Sequence, residues 1–150
     1  MTDAKTRILI ADDENPIRLL VRVNLEAEGY DVLEAPDGLA TLEAARTEHP
    51  DLILLDVMMP FKDGWEVAED LLNDPATEAI PIIFLTARAD LRDRERGFNT
   101  GGLQYITKPF NPRELAPAIE DALKTAREGA SESVRAERLR LVREMQVTPE

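Results

Sequence analysis

The sequence predicts an α/β protein, a doubly wound, five-stranded parallel sheet with an extra C-terminal helix. Three observations predict it. Short apolar runs alternate with amphipathic stretches five times along the chain. Leu52-Ile-Leu-Leu55 is four large apolar residues in succession, which reads as a strand covered on both faces, as parallel strands are. Asp12, Asp13, Asp56, Thr86 and Lys108 all fall just past the ends of such runs, where open α/β sheets gather their ligand sites.

Taken in order, Arg7-Ile-Leu-Ile-Ala11 is the first strand and leads into Asp12-Asp13-Glu14. Asn15 is placed to cap the first helix, with Pro16 at its first position. Ile17, Leu20, Val21 and Leu25 make its inward face, and Gly29 ends it. Asp31–Ala35 is the second strand. Asp37-Gly38 opens the second helix, with Leu39, Leu42 and Ala45 inward and Pro50 beyond its end. The third strand stops at Asp56. Asp63-Gly-Trp-Glu66 is a capping-box pattern, and Val67, Ala68, Leu71 and Leu72 form the stripe of the helix it opens. Ile80–Leu85 is the fourth strand, ending at Thr86. Residues 89–99, highly charged and weakly patterned, are assigned to the fourth helix. Leu103–Thr107 is the fifth strand, ending at Lys108-Pro109. Asn111 caps the fifth helix between Phe110 and Leu115, which can staple its entry, and Pro117 is expected to kink it.

Composition excludes several classes. At 150 residues and 43% apolar content the chain can bury a core. No apolar run approaches the roughly 18 residues of a membrane span, and the start has no secretory h-region. A chain without cysteine has no disulfide framework and no thiolate site. A cytoplasmic protein is the simplest reading. The formal charge of −12 opposes direct binding to nucleic acid or an anionic membrane.

The clustered strand-end residues suggest chemistry. Two unit charges about 4 Å apart interact by roughly 4 kcal/mol at an effective dielectric near 20, so three gathered carboxylates call for a cation. Hard oxygen ligands suit Mg²⁺ or Mn²⁺, and the cluster's lack of Cys and His argues against zinc. A cation, a lysine and a strand-end hydroxyl around a carboxylate are what phosphoryl transfer requires, and a carboxylate can be its nucleophile. Each residue also has a plainer reading: Asp56 and Thr86 as strand terminators, Lys108 as a surface lysine. His49 reads as solvated, and Trp65 and Phe110 as packing.

From about Arg7 to Ala126 the sequence resembles the receiver domain of bacterial two-component response regulators, most closely the single-domain, chemotaxis-regulator type. The resemblance rests on Ile-Ala-Asp12-Asp13-Glu14, Leu-Leu-Asp56-Val-Met-Met-Pro60, Asp63-Gly64, Leu-Thr86-Ala87 and Tyr105-Ile-Thr-Lys108-Pro109-Phe110. It implies a flavodoxin-like sheet in a receiver domain spanning 1–127, with 128–150 as a helical extension. It further implies that Asp56 accepts a phosphoryl group from a sensor histidine kinase or histidine phosphotransfer protein. Asp12, Asp13, Asp56 and the Met58 carbonyl would hold the metal. Lys108 would contact the phosphoryl group, with Thr86 as switch hydroxyl, Tyr105 as switch aromatic and a cis bond before Pro109. An output protein would read the result.

The sequence departs from that pattern in two places. Gly101-Gly-Leu-Gln104 replaces the usual Gly-Ala-Asp-Asp, which puts in doubt the dimer those acidic residues support in DNA-binding members. Residues 128–150 extend past the resemblance. A helix is expected over roughly Ser131 to Met145, with Val134, Leu141, Val142 and Met145 on one face. Such a helix is marginal alone, so it needs a surface. That surface is either its own chain beside the fifth helix or the same tail of a second molecule or a partner, and the sequence tilts towards pairing (a homodimer through the C-terminal helix) or partner binding.

Three rivals compete with this reading. A haloacid-dehalogenase-type phosphatase wants an acidic residue two positions after its nucleophile, where this chain has Met58. A flavodoxin-like electron carrier wants a phosphate-cradling loop at 12–16, which here is Asp-Asp-Glu-Asn-Pro. An inert pseudo-receiver would lack part of the site.

Overall fold

The computed structural model describes residues 5–86, 103–128 and 139–144. Five strands are present: β1 (Arg7–Ala11), β2 (Asp31–Ala35), β3 (Leu52–Asp56), β4 (Ile82–Thr86) and β5 (Leu103–Thr107). All pair in parallel, in the order β2-β1-β3-β4-β5. The order reverses between β1 and β3, so the carboxyl ends of those two strands open on a crevice. The described α-helices are α1 (Asn15–Ala27), α2 (Gly38–Glu48), α3 (Gly64–Leu72) and α4 (Leu115–Glu128). The helix expected over 89–99 lies outside the described residues.

Alternate residues of each strand point to opposite faces, and the core divides accordingly. Leu9, Ile53, Leu55 and Phe84 meet α2 and α3 on one face. Ile8, Ile10, Leu52, Leu54, Ile83 and Leu85 meet Val21 and Leu25 of α1 and Leu115, Ile119 and Ala122 of α4 on the other. β3 is buried at all five positions, as its unbroken apolar run predicts.

The caps explain where the helices start. Asp37 accepts a hydrogen bond from Ala40 N at 2.8 Å, and Asp63 and Glu66 complete the capping box at 2.9 and 3.1 Å. At α1 the cap is Glu14, not Asn15: Asn15 is already helical, and its side chain accepts from the Arg18 guanidinium. Leu20 and Leu39, expected inward, are 38% and 55% exposed. The apolar spacing of each helix fits a wider stripe than the sheet covers, and the sheet takes only part of it.

Pro117 does not interrupt a helix interior. Asn111 caps a short 3₁₀ turn, Pro112–Glu114, by accepting from Arg113 N at 2.9 Å, and α4 begins only at Leu115. Pro117 is therefore in the first turn, where a backbone N–H has no intrahelical partner to lose. Phe110 and Leu115 lie in one core cluster, as the staple pattern predicts.

Residues 139–144 are helical and seat Leu141 and Val142, 2% and 1% exposed, on their own chain. This is packing on the chain's own surface, the alternative to pairing. The place differs from the one expected beside the fifth helix, because Val142 joins the cluster of α2 and α3, across the sheet from α4. Arg143 Nε adds a 2.8 Å ion pair to Glu69 Oε2 on α3. Burying each aliphatic side chain contributes about 1.5–3 kcal/mol, while ordering backbone costs about 1–2 kcal/mol per residue. An exposed ion pair adds at most about 1 kcal/mol.

Candidate phosphoryl-transfer site

β1 and β3 are neighbours in register, Ala11 beside Leu55, so the next residues of both chains reach the same crevice. Asp12 is fully buried there. Its amide donates to Ala35 O of β2 at 3.1 Å, and its Oδ1 accepts from Glu14 N at 2.9 Å, which turns the chain off the strand. Arg18, one turn into α1, clamps the same corner by donating to Asp12 O at 2.6 Å while pairing with Glu34 at 2.9 Å. Asp56 ends β3 and is 3% exposed, and its Oδ1 accepts from Met58 N at 3.2 Å.

Gly64 holds the loop after Asp56 against the strand end. Its amide donates to Val57 O at 2.8 Å, and a Cβ there would stand 2.5 Å from Asp56 O. Only glycine permits that approach. On the far side, Lys108 leaves β5 and its amide donates to Thr86 O at 2.7 Å. The Lys108-Pro109 bond is cis. The Lys108 ammonium then lies 2.8 Å from Asp12 Oδ2 and 3.4 Å from Asp56 Oδ1.

Asp12, Asp13 and Asp56 can each offer a carboxylate oxygen within 4.8 Å of the others. Burial, followed by the charge of Asp12, pushes the Asp56 carboxyl up from 3.8 to about 6, although Lys108 and the Met58 amide pull the other way. Burial would lower Lys108, but its hydrogen bond to Asp12 and the charges of Asp56 and Asp12 outweigh it and raise the group. Among the described residues, one ammonium shared by the carboxylates of Asp12 and Asp56, with Asp13 close by, leaves the cluster negative. No donor among the described residues apart from Lys108 reaches buried Asp12 Oδ2. An oxygen-only, electron-rich set of this kind fits a hard divalent cation.

The other residues singled out in the sequence divide between this crevice and the packing around it. Thr86 is buried at the end of β4, one residue past Leu85, which pairs with Asp56 on β3. Tyr105 is half-buried one strand further, paired with Phe84 and packed on the α2/α3 cluster. The Met58 side chain is 67% exposed at the mouth. Trp65 stacks at 4.4 Å on Phe84, a packing role, and His49 is exposed after α2. Arg18 was not legible as a site residue. The available signal was a basic side chain one helical turn past an acidic strand end.

Residues 8–120 match the response regulator receiver domain family. The chain belongs to it. Over 126 residues this receiver domain is 44% identical to the phosphate regulon transcriptional regulatory protein PhoB of Pseudomonas aeruginosa, covering 84% of this chain and 55% of that protein. Over 118 residues it is 42% identical to the DNA-binding dual master transcriptional regulator RpaA of Synechocystis, covering 79% and 49%. The chain thus spans about half the length of the curated relatives it matches. Among solved structures it is similar to the chemotaxis response regulator CheY4 of Vibrio cholerae, with TM-score 0.72 and 29% identity over 79% of this chain and 99% of that one. It is also similar to a CheY-like receiver domain protein of Methanospirillum hungatei, with TM-score 0.72 and 31% identity over 83% and 98%. The likeness is to receiver domains in longer and shorter proteins alike, so the single-domain type is not singled out. Among the described residues no helix is long and apolar enough to cross a membrane.

Proposed function

We propose that the receiver domain takes a phosphoryl group from a phosphohistidine onto Asp56. The observation that carries this is the placement of a buried carboxylate 3.4 Å from a lysine and within 4.8 Å of two further aspartates. In the step, an Asp56 oxygen attacks phosphorus, the O–P bond forms and the P–N bond breaks. The electron pair leaves on the imidazole nitrogen. Met58 N and Lys108 Nζ both engage Oδ1, so Oδ2 is the oxygen available to attack. Lys108 neutralises the incoming phosphoryl oxygens, and the Thr86 hydroxyl at the neighbouring strand end binds one of them. Asp12, Asp13, Asp56 and the Met58 carbonyl would hold Mg²⁺, or Mn²⁺, which would supply the positive charge that lets a phosphate approach three carboxylates.

Signalling then passes through Thr86 and Tyr105, which lie on adjacent strands, to an output protein. A sensor kinase or phosphotransfer protein is suited by α1, which starts at Asn15 next to the acidic strand end and exposes Leu19 and Val23, 61% and 57% accessible. The acidic body supports indirect rather than direct action on nucleic acid. We place the domain at 1–127 and the extension at 128–150. The test is intact mass after incubation with Mg²⁺ and a small phosphodonor. One phosphoryl group is gained, chelation prevents the gain, and Asp56→Asn abolishes it. A full gain in that variant refutes the assignment.

A further inference from the structure

The tail helix reveals a second surface. Val142 of this helix belongs to the apolar cluster that α2, α3 and one face of the sheet build, and Arg143 reaches Glu69 of α3 at 2.8 Å. We propose that this face is an interaction surface for a basic amphipathic helix of a partner protein, and that the chain's own tail is its built-in competitor, docked in cis. The proposal stands apart from the phosphoryl chemistry of Asp56.

Three observations carry it. The contact is separable: of six described tail residues only Leu141 and Val142 are buried, while Arg140 and Arg143 are exposed. The body beneath already has its own two-sided core of strands and four helices, which a partner could meet without refolding. The chemistry of the ligand can be read from the stand-in, an aliphatic pair followed directly by a basic residue that reaches Glu69. Two Arg and one Glu give residues 139–144 a charge of +1, within a chain of −12. Any competing helix of that sign is drawn to the same acidic body. Tethering gives the tail a high effective concentration, so a free helix is held off until the tail leaves.

The experiment uses the full-length chain and a labelled peptide of residues 131–148. Val142→Asp should undock the tail in cis. That chain is expected to bind the peptide one to one, at least tenfold more tightly than the unaltered chain does. Adding Glu69→Arg should weaken this binding several-fold, and a peptide carrying Arg143→Glu should restore it. Hydrogen exchange on the unaltered chain supplies the second arm, independent of any variant. Amides of 139–144 should exchange at least a hundredfold faster than those of β3, by opening while the body stays protected. Equal peptide affinity in the two chains, or none in a Val142→Asp chain with native circular dichroism, overturns the proposal. Exchange of 139–144 only together with β3 also overturns it, and decides the matter if Val142→Asp fails to fold.

Discussion

At Asp56, burial and the charge of Asp12 oppose ionisation, and Lys108 only partly offsets them, which leaves the carboxyl near 6. The native protein therefore binds that proton more tightly than the unfolded chain, whose carboxyl titrates near 3.8. The sign follows: this stabilisation is full below about pH 4 and is lost as pH rises through about 6. In metal-free buffer Asp56→Asn should be more stable than the unaltered protein at pH 7, by about 1–3 kcal/mol, with the gap closing near pH 4. Denaturant unfolding at the two pH values measures it, and a gap that widens on acidification contradicts the electrostatic account. Lys108 leads to a second expectation. Lys108→Ala removes a cation that competes for the same oxygens, so Mg²⁺ affinity should hold or rise several-fold while phosphorylation at saturating Mg²⁺ slows. Calorimetric titration reads the first and intact mass the second. Loss of metal affinity would show that Lys108 supports the carboxylates in some other way.

Among the elements, the strands were legible because an apolar run bounded by polar residues fixes both a strand and its end. That is why Asp12, Asp56, Thr86 and Lys108 could be placed together before any coordinates. Periodicity fixed the helices less fully. It says that Leu20 and Leu39 can face inward, not how much of a helix the sheet covers. The start of α4 was misread because a 3₁₀ turn before it shifts Pro117 from an interior position to the first turn. Pro117→Ala should accordingly change stability by less than about 1 kcal/mol, far below the roughly 3 kcal/mol of an interior proline. Gly64→Ala should behave oppositely. Its new Cβ would meet Asp56 O at 2.5 Å, so the phosphoacceptor end of β3 must move. A loss of about 1–3 kcal/mol is expected, with slower phosphorylation. Thermal unfolding of both variants tests the pair, and a neutral Gly64→Ala would refute the tight approach.

For the molecule as a whole, the sequence carried the sheet order's consequence, a crevice of carboxylates, more readily than it carried the fate of the tail. An amphipathic stretch shows that it needs a surface but not which one, and the choice between α4, α3 and a second copy depends on packing that no periodicity encodes. Gln104 makes the same point: it reaches Asp121 of α4 within the chain, at 3.0 Å, where an acidic residue was expected by family pattern. With Leu141 and Val142 seated in cis and a chain of net charge −12 repelling its copies, the unphosphorylated chain should be a monomer. Light scattering at high protein concentration and moderate salt checks this, and a dimer lost on Leu141→Asp would restore the pairing idea. The central claim, that the crevice exists to phosphorylate one aspartate, is tested most directly by locating the modified residue. Borohydride reduction of the freshly phosphorylated chain, followed by peptide mass mapping, converts an aspartyl phosphate to a stable alcohol. The account predicts that mark on Asp56 alone, and its appearance on Asp12 or Asp13 instead would contradict it.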